Sequence, residues 1–136
     1  MRFACVLPAL LLLGACATTG QGGSACPAGL QSRQTAELYF GRNIGADLGV
    51  SEGDWRRFLD EEVTPRFPDG LTVLDAAGQW RGEGGTVVHE PSKALMLVLS
   101  GASDEPARLD AVRAAYKTRF RQEAVMLVRR QACVGF

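Results

Sequence analysis

An almost wholly apolar run occupies residues 93–100 (KALMLVLS). A short run of this kind is typical of a strand that is covered on at least one face and partly on the other. It therefore predicts a central strand, and a fold built around it needs further strands and a layer of helices.

Two segments have apolar residues at helical spacing and predict amphipathic helices over residues 52–64 and 104–121. Ser51 is placed to cap the first helix, with Asp54 three positions on, and Ser103 is placed to cap the second. The apolar residues that define the two faces are Trp55, Phe58, Leu59 and Val63 in the first helix and Leu109, Val112, Tyr116 and Phe120 in the second.

Further strands are predicted where β-prone residues are bounded by glycine or proline. Residues 41–50 form a glycine-rich loop after the first of them. Residues 75–78 (DAAG) indicate a bulge or tight bend, residues 82–85 a hairpin turn, and Pro91 and Ser92 an interruption. The predicted extended segments are 37–40, 71–74, 79–81, 86–89 and 124–129.

The resulting order is strand, helix, strand, strand, helix, strand. It predicts an α+β fold, a four-stranded antiparallel sheet with both helices on one face, in the ferredoxin-like βαββαβ arrangement whose first and third strands are central. The bent hairpin of residues 71–100 is longer than usual, so residues 79–89 project as a ribbon. The other sheet face stays exposed unless a second copy pairs with it or the ribbon covers it.

The N-terminus predicts export and lipid attachment. Arg2 precedes an apolar stretch, residues 3–13, that is shorter than the roughly 20 residues a spanning helix takes. Leu13-Gly14-Ala15-Cys16 resembles a bacterial lipobox, in which the thiol of Cys16 is acylated before cleavage. The alternative is a plain signal peptide cut after Ala17.

Lipidation divides the chain into a signal peptide (1–15), a lipidated flexible tether (16–32) and a single α+β domain (33–136). The lipid anchors stably, at about 0.8 kcal/mol per buried methylene. Ala17 replaces the aspartate that retains some lipoproteins at the inner membrane, so the outer membrane facing the periplasm is favoured. Loss of Arg2 leaves 14 basic and 15 acidic residues, a net charge of −1, and no basic patch for nucleic acid.

The chain has four cysteines. Cys5 leaves with the signal peptide and Cys16 carries the lipid, so Cys26 and Cys133 remain in an oxidising compartment. A disulfide between these two would tie the start of the mature chain to its end, and two free thiols are the alternative. No metal site is expected, because the sequence has no C-x-x-C pair and one histidine.

No catalytic residue or cofactor is predicted, since nucleophile-elbow, paired-histidine and phosphate-loop motifs do not occur. His89 beside Glu90 has the chemistry of a general base, but a solvent-facing strand position is the simpler interpretation. An arginine near an apolar turn can bind a carboxylate or phosphate of a ligand or partner, or form an internal ion pair to Asp69 or Asp75. The candidate contact residues are Tyr39, Arg42, Arg66, Asp69, Trp80 and Arg81.

Several segments together resemble domain-of-unknown-function family 3574. The resemblance covers roughly residues 33–136 and implies a small bacterial envelope protein, often with a lipoprotein signal, and no established activity. The segments that carry it are 38–42 (LYFGR), 54–59 (DWRRFL), 63–73 (VTPRFPDGLTV), 78–81 (GQWR), 90–93 (EPSK) and 116–120 (YKTRF).

Two classes of function follow. The first is a non-enzymatic lipoprotein whose domain binds an envelope protein or a small ligand through the exposed sheet face, and a homodimer through that face belongs to this class. The second is a small enzyme or ligand sensor that uses the same face as a pocket. An enzyme should gather titratable groups in a cleft, whereas a binding module should show an apolar or arginine-rimmed patch.

Overall fold

The computed structural model describes residues 26–81 and 83–136. Within them lie two α-helices and a four-stranded antiparallel sheet, which confirms the predicted α+β class. The elements in chain order are β1 (Gln31–Gly41), β2 (Asn43–Ile44), β3 (Asp47–Leu48), α1 (Glu52–Phe58), a π-helical turn (Leu59–Val63), β4 (Thr72–Arg81), a short turn (Glu83–Gly85), β5 (Val87–Val98), α2 (Glu105–Phe120) and β6 (Met126–Val134).

The large sheet has the strand order β4-β5-β1-β6, and every neighbouring pair is antiparallel. Most of the apolar run at 93–100 lies in β5, which has β4 on one side and β1 on the other. The run therefore forms an interior strand, as its composition predicts.

Both helices pack on one face of this sheet around an aromatic cluster. The ring of Phe40 on β1 contacts Trp55 and Phe58 of α1 and Tyr116 of α2, with centroids 4.7–5.9 Å apart in edge-to-face geometry. The buried Tyr116 hydroxyl donates to the carbonyl of Gly41 at 2.8 Å. The core thus joins each helix directly to the C-terminal end of β1.

The first helix begins as predicted. The Ser51 hydroxyl accepts the N–H of Asp54 at 3.1 Å, and the Asp54 carboxylate accepts the N–H of Ser51 at 3.2 Å, which completes a capping box. The helix then widens, because the N–H of Thr64 bonds the carbonyl of Leu59, five residues back. Where the periodicity predicted one helix to residue 64, the last turn is π-helical.

Two predicted interruptions of the hairpin are wrong. The pairing of β4 with β5 keeps one register from Thr72↔Met96 to Arg81↔Val87, so no bulge occurs at 75–78. Pro91 lies inside β5, and its carbonyl accepts the N–H of Arg42 just beyond the end of β1. The nitrogen of Pro91 points to the same side as its carbonyl, beyond the end of β1. The sheet needs no hydrogen bond from that nitrogen, so proline is tolerated.

Two smaller predictions are also wrong. Residues 41–50 are not only a loop, because β2 and β3 pair within them as a small hairpin. The second helix is not capped by Ser103. Instead the buried Glu105 carboxylate turns back and accepts the N–H groups of Ser100 and Gly101, at 2.6 and 3.2 Å, and the Ser100 hydroxyl.

The predicted disulfide between Cys26 and Cys133 is present, with the two Cα atoms 5.5 Å apart. Strand β1 begins at Gln31, so its first two residues come from the range assigned to the tether. The predicted signal peptide and lipidation site, Cys16, lie outside the described residues, as does Cys5.

Candidate functional site

One face of the sheet packs against the helices, and the other carries apolar side chains into solvent. Residues paired across antiparallel strands share a face. One row across all four strands consists of Leu74, Ala94, Tyr39 and Met126. We call the face that carries this row the open face. Its large apolar residues, which are 39–56% exposed, are Leu74, Trp80, Met96, Val98 and Met126.

A polar group lies in the middle of the open face. The Tyr39 hydroxyl donates to Glu37 at 2.7 Å, and Arg130 on β6 forms an ion pair with the same carboxylate at 3.0 Å. The hydrogen bond to Glu37 raises the pKa of Tyr39 above its ordinary value. The three side chains thereby satisfy one another, and they add no net charge to the apolar surroundings.

A second polar feature lies where β4 and β5 extend beyond β1. The Glu90 carboxylate accepts the indole N–H of Trp80 at 2.9 Å and the backbone N–H of Asn43 at 3.3 Å. The Glu90 carboxylate occupies the space next to Gly41, where any side chain larger than hydrogen would displace it. The carboxylate therefore fixes the half-exposed Trp80 ring at the ribbon end of the open face.

A shallow cavity of about 520 Å³ lies at the opposite end of the open face. Arg33 and Asp69 contribute its charged groups, and Met96 and Val98 contribute apolar floor. Of the candidate contact residues, Asp69 lines this cavity, in the turn that precedes β4.

On the helix side of the sheet, Lys93 is nearly inaccessible and pairs with Asp75 on β4 and with Glu52 at the start of α1. Glu52 also binds Arg42, whose guanidinium is buried and donates to the Val50 carbonyl at 2.9 Å. The hydrogen bond from Lys93 lowers the pKa of both carboxyls. Burial opposes the charge of Lys93, but its two carboxylate partners outweigh burial and raise its pKa.

The structure does not bring the six candidate contact residues together. Tyr39 and Trp80 lie on the open face, and Arg81 ends β4. Arg42 pairs with Glu52 near the start of α1, whereas Arg66 follows its π-helical end and pairs with Glu62 at 2.9 Å. Both arginines form internal ion pairs, with partners other than the expected Asp69 and Asp75.

Within the described ranges, titratable groups line two shallow cavities, Arg33 with Asp69 in one and His89 with Glu90 in the other. His89 is solvent-facing, and no cluster of three His, Cys, Asp or Glu side chains in those ranges has the geometry of a metal site. Among the helices that the structure describes, none is long and apolar enough to cross a membrane.

Sequence analysis missed several members of the open face, among them Glu90, Met96 and Met126. The signal was present in the alternation of β5. Lys93, Leu95 and Leu97 face the helices, so Ala94, Met96 and Val98 must face the other way. Finding the face also requires the register between strands, which fixes which residues become neighbours.

The fold and the site together define a small α+β domain whose described helices cover one sheet face and leave the other, largely apolar face open. The chain belongs to the family described as "Protein of unknown function (DUF3574)", which matches residues 35–136. No curated protein matches the chain in sequence.

Two solved structures are similar. A phage SAM lyase in complex with S-methyl-5′-thioadenosine is 16% identical, with a TM-score of 0.61 over 84% of this chain and 95% of that chain. A phage SAM lyase in its apo state is 17% identical, with a TM-score of 0.60 over 77% and 90% of the two chains. At such identities the likeness shows the fold alone.

Proposed function

We propose that this protein is a cell-envelope lipoprotein whose domain is a binding module, and that the open face is its contact surface. The domain takes the ferredoxin-like arrangement, and Cys16 carries a lipid that anchors it to the outer membrane on the periplasmic side. The observation that carries the proposal is the set of exposed apolar side chains on one sheet face, which are Leu74, Trp80, Met96, Val98 and Met126. Contiguous apolar surface of this kind on a folded domain marks a site of association.

The polar groups support binding over catalysis. Glu37, Tyr39 and Arg130 are already paired with one another, and Glu90 is engaged by Trp80 and Asn43. A general acid or base needs a free proton-transfer position and a shifted pKa in a cleft. These groups instead reduce the charge that an apolar partner would meet.

Photo-crosslinking in cells tests the contact surface. The photoreactive residue p-benzoylphenylalanine replaces Met96 on the open face of the full chain, and in a matched control it replaces Lys117, which is exposed on α2. We expect adducts at position 96 and few at position 117. Equal yields at the two positions, or no adduct at 96, would contradict the proposal.

Mass spectrometry of the mature N-terminus tests the proposed lipid attachment at Cys16. We expect an acylated Cys16 in the membrane fraction, and Cys16→Ser should move the protein to the soluble periplasmic fraction. An unacylated chain that begins at Thr18 would rule out the lipoprotein part and leave the binding surface untouched.

A second function is favoured by one observation, the fixed Trp80–Glu90 corner on a fold shared with a lyase that holds S-methyl-5′-thioadenosine. An indole face can stack on a purine, and a neighbouring carboxylate can accept ribose hydroxyls. In this alternative the open face is the pocket of an enzyme or sensor for nucleoside thioethers.

Titration with S-methyl-5′-thioadenosine separates the two functions. If the alternative holds, Trp80 fluorescence should change in a saturable way in the wild type, and the change should vanish in Trp80→Phe. Trp55 is buried in the core and serves as the internal reference in that variant. No change at millimolar ligand would exclude the alternative.

A further inference from the structure

The proposed binding surface needs an occupant, and we propose that it is a second copy of this chain, packed open face to open face about a two-fold axis. This inference rests on the proposed function, because it uses the same surface. In such an isologous contact each residue meets the same patch of the other copy, so the patch must be complementary to itself.

The charges of the open face satisfy that condition. In a two-fold contact, a patch with a single sign of charge repels its own copy. The central part of this face carries one negative and one positive side chain, Glu37 and Arg130, already 3.0 Å apart. Two such faces can stack with four charges in alternating order.

The side chains next to Glu37 on the open face also suit a contact between two copies. The row beside Glu37 consists of Thr72, Met96 and Val128, and the next consists of Leu74, Ala94, Tyr39 and Met126. These residues combine methionine, which adapts its shape to an apolar partner, with small residues that allow close approach. Apart from Glu37 and its partner Arg130, these rows carry no charge, and a low content of charged residues is common in homodimer interfaces.

The area is also sufficient, provided that the ribbon takes part. With strands about 4.8 Å apart and a rise of about 3.4 Å per residue, each residue facing one side covers roughly 33 Å². The paired positions from Val98 to Trp80 then give about 600 Å² on each copy. Two copies bury about 1,200 Å², the lower end of the range for specific interfaces. Without Trp80, Val88 and Glu90 the face would fall below that range, so the ribbon belongs to the contact.

A charge-swap series tests this occupant. Glu37→Arg leaves the centre of the face doubly positive and should weaken self-association at least about tenfold. The double variant Glu37→Arg/Arg130→Glu exchanges the two signs and keeps the face self-complementary, so it should restore association. A different partner with fixed charges would not be regained by the swap. Arg129→Glu reverses a charge on the other side of β6 and should change nothing.

The readout is the mass of the full chain in detergent by sedimentation equilibrium, together with co-purification of two differently tagged copies. Circular dichroism confirms that each variant is folded. Met126→Glu is the second test, because it places two like charges across the interface without touching the Tyr39 hydrogen bond.

The outcomes separate the two proposals. A dimer that Glu37→Arg dissociates and the double variant restores supports both. A wild-type monomer at about 100 µM, with open-face crosslinks to another protein, overturns the second-copy assignment and keeps the binding surface. A monomer without open-face crosslinks overturns both.

Discussion

The Glu90 carboxylate lies across Gly41 on the neighbouring strand, so closely that a β-carbon on Gly41 would come within 2.6 Å of its carboxyl carbon. Gly41 pairs in register with Ser92, and Glu90 lies two residues before Ser92 in β5. From this position the carboxylate accepts one bond from Asn43 and one from Trp80. The missing side chain at Gly41 therefore allows one carboxylate to connect Asn43, at the start of β2, with Trp80 on the ribbon.

Gly41→Ala should displace Glu90 and break both bonds. Because the displaced atoms are the far end of the flexible Glu90 side chain, we expect the free energy of unfolding to fall by about 1 kcal/mol, the net contribution of the hydrogen bonds that are lost. Urea unfolding followed by circular dichroism measures the change. Gly53→Ala is the matched control, since its new β-carbon would meet nothing closer than Ser51 Oγ at 3.7 Å. In a helix that change should stabilise by about 0.5–1 kcal/mol. A neutral Gly41→Ala would contradict the packing described.

Glu105→Ala should be costly, because it removes the buried carboxylate that accepts the N–H groups of Ser100 and Gly101. We expect a loss of about 2 kcal/mol in the free energy of unfolding, since a hydrogen bond to a charged group contributes about 1.5–3 kcal/mol. Asp110→Ala on the same helix removes an exposed ion pair to Arg113 and should cost less than about 1 kcal/mol. If the two variants unfold at the same urea concentration, the capping role is wrong.

Lys93→Met tests the ion pairs on the helix side. The lysine is 6% exposed, whereas Glu52 and Asp75 are 55% and 83% exposed and can be rehydrated when it is removed. We expect a change below about 1 kcal/mol at neutral pH. Neutralising both carboxylates instead, with Glu52→Gln/Asp75→Asn, should destabilise more, because it leaves a buried ammonium without an ionised partner.

The same ion pairs predict a pH dependence. Lys93 lowers the pKa of Glu52 and Asp75 in the folded state, so they contribute stability above their unfolded pKa near about 4 and lose it as the pH falls through the folded values. Stability of the wild type should therefore fall more steeply than that of Lys93→Met below about pH 4. Thermal melts across this range give the two slopes, and parallel slopes would contradict the prediction.

Reduction of the Cys26–Cys133 disulfide should lower the free energy of unfolding by about 2–5 kcal/mol, because the bond closes a loop of sequence separation 107 in the unfolded chain. Urea unfolding with and without reductant measures the loss. The Cys26→Ser/Cys133→Ser variant should match the reduced wild type and show no response to reductant. A response in that variant would assign the effect to another source.

The sequence predicted those features that local chemistry controls. Ser51 and Asp54 form a capping box, as their spacing predicted, and the prediction that Cys5 and Cys16 belong to an export signal left Cys26 and Cys133 as the one pair. Most of the apolar run at 93–100 lies in β5, which is an interior strand with β4 on one edge and β1 on the other. In each case the deciding interaction lies within a few residues or follows from composition.

Features that depend on packing between distant segments were not predictable in this way. Residues 75–78 looked like a bend because alanine and glycine are weak strand formers. In the structure, close packing accounts for the glycine at position 78, because a β-carbon there would come 3.1 Å from the Ser92 hydroxyl on β5. The candidate contact residues failed to assemble for the same reason, since only the fold reveals that Arg42 faces the buried side of the sheet.

The disulfide also determines how the domain bears a mechanical load. A pull on the chain ahead of Cys26 enters the sheet at two places, through the backbone into β1 and through the disulfide into β6. These strands pair over nine positions, from Gln31↔Val134 to Tyr39↔Met126. Because both are loaded together at the same end, the force cannot peel one from the other bond by bond. Force transmitted along the N-terminal segment should therefore not separate β1 from β6 while the disulfide is intact.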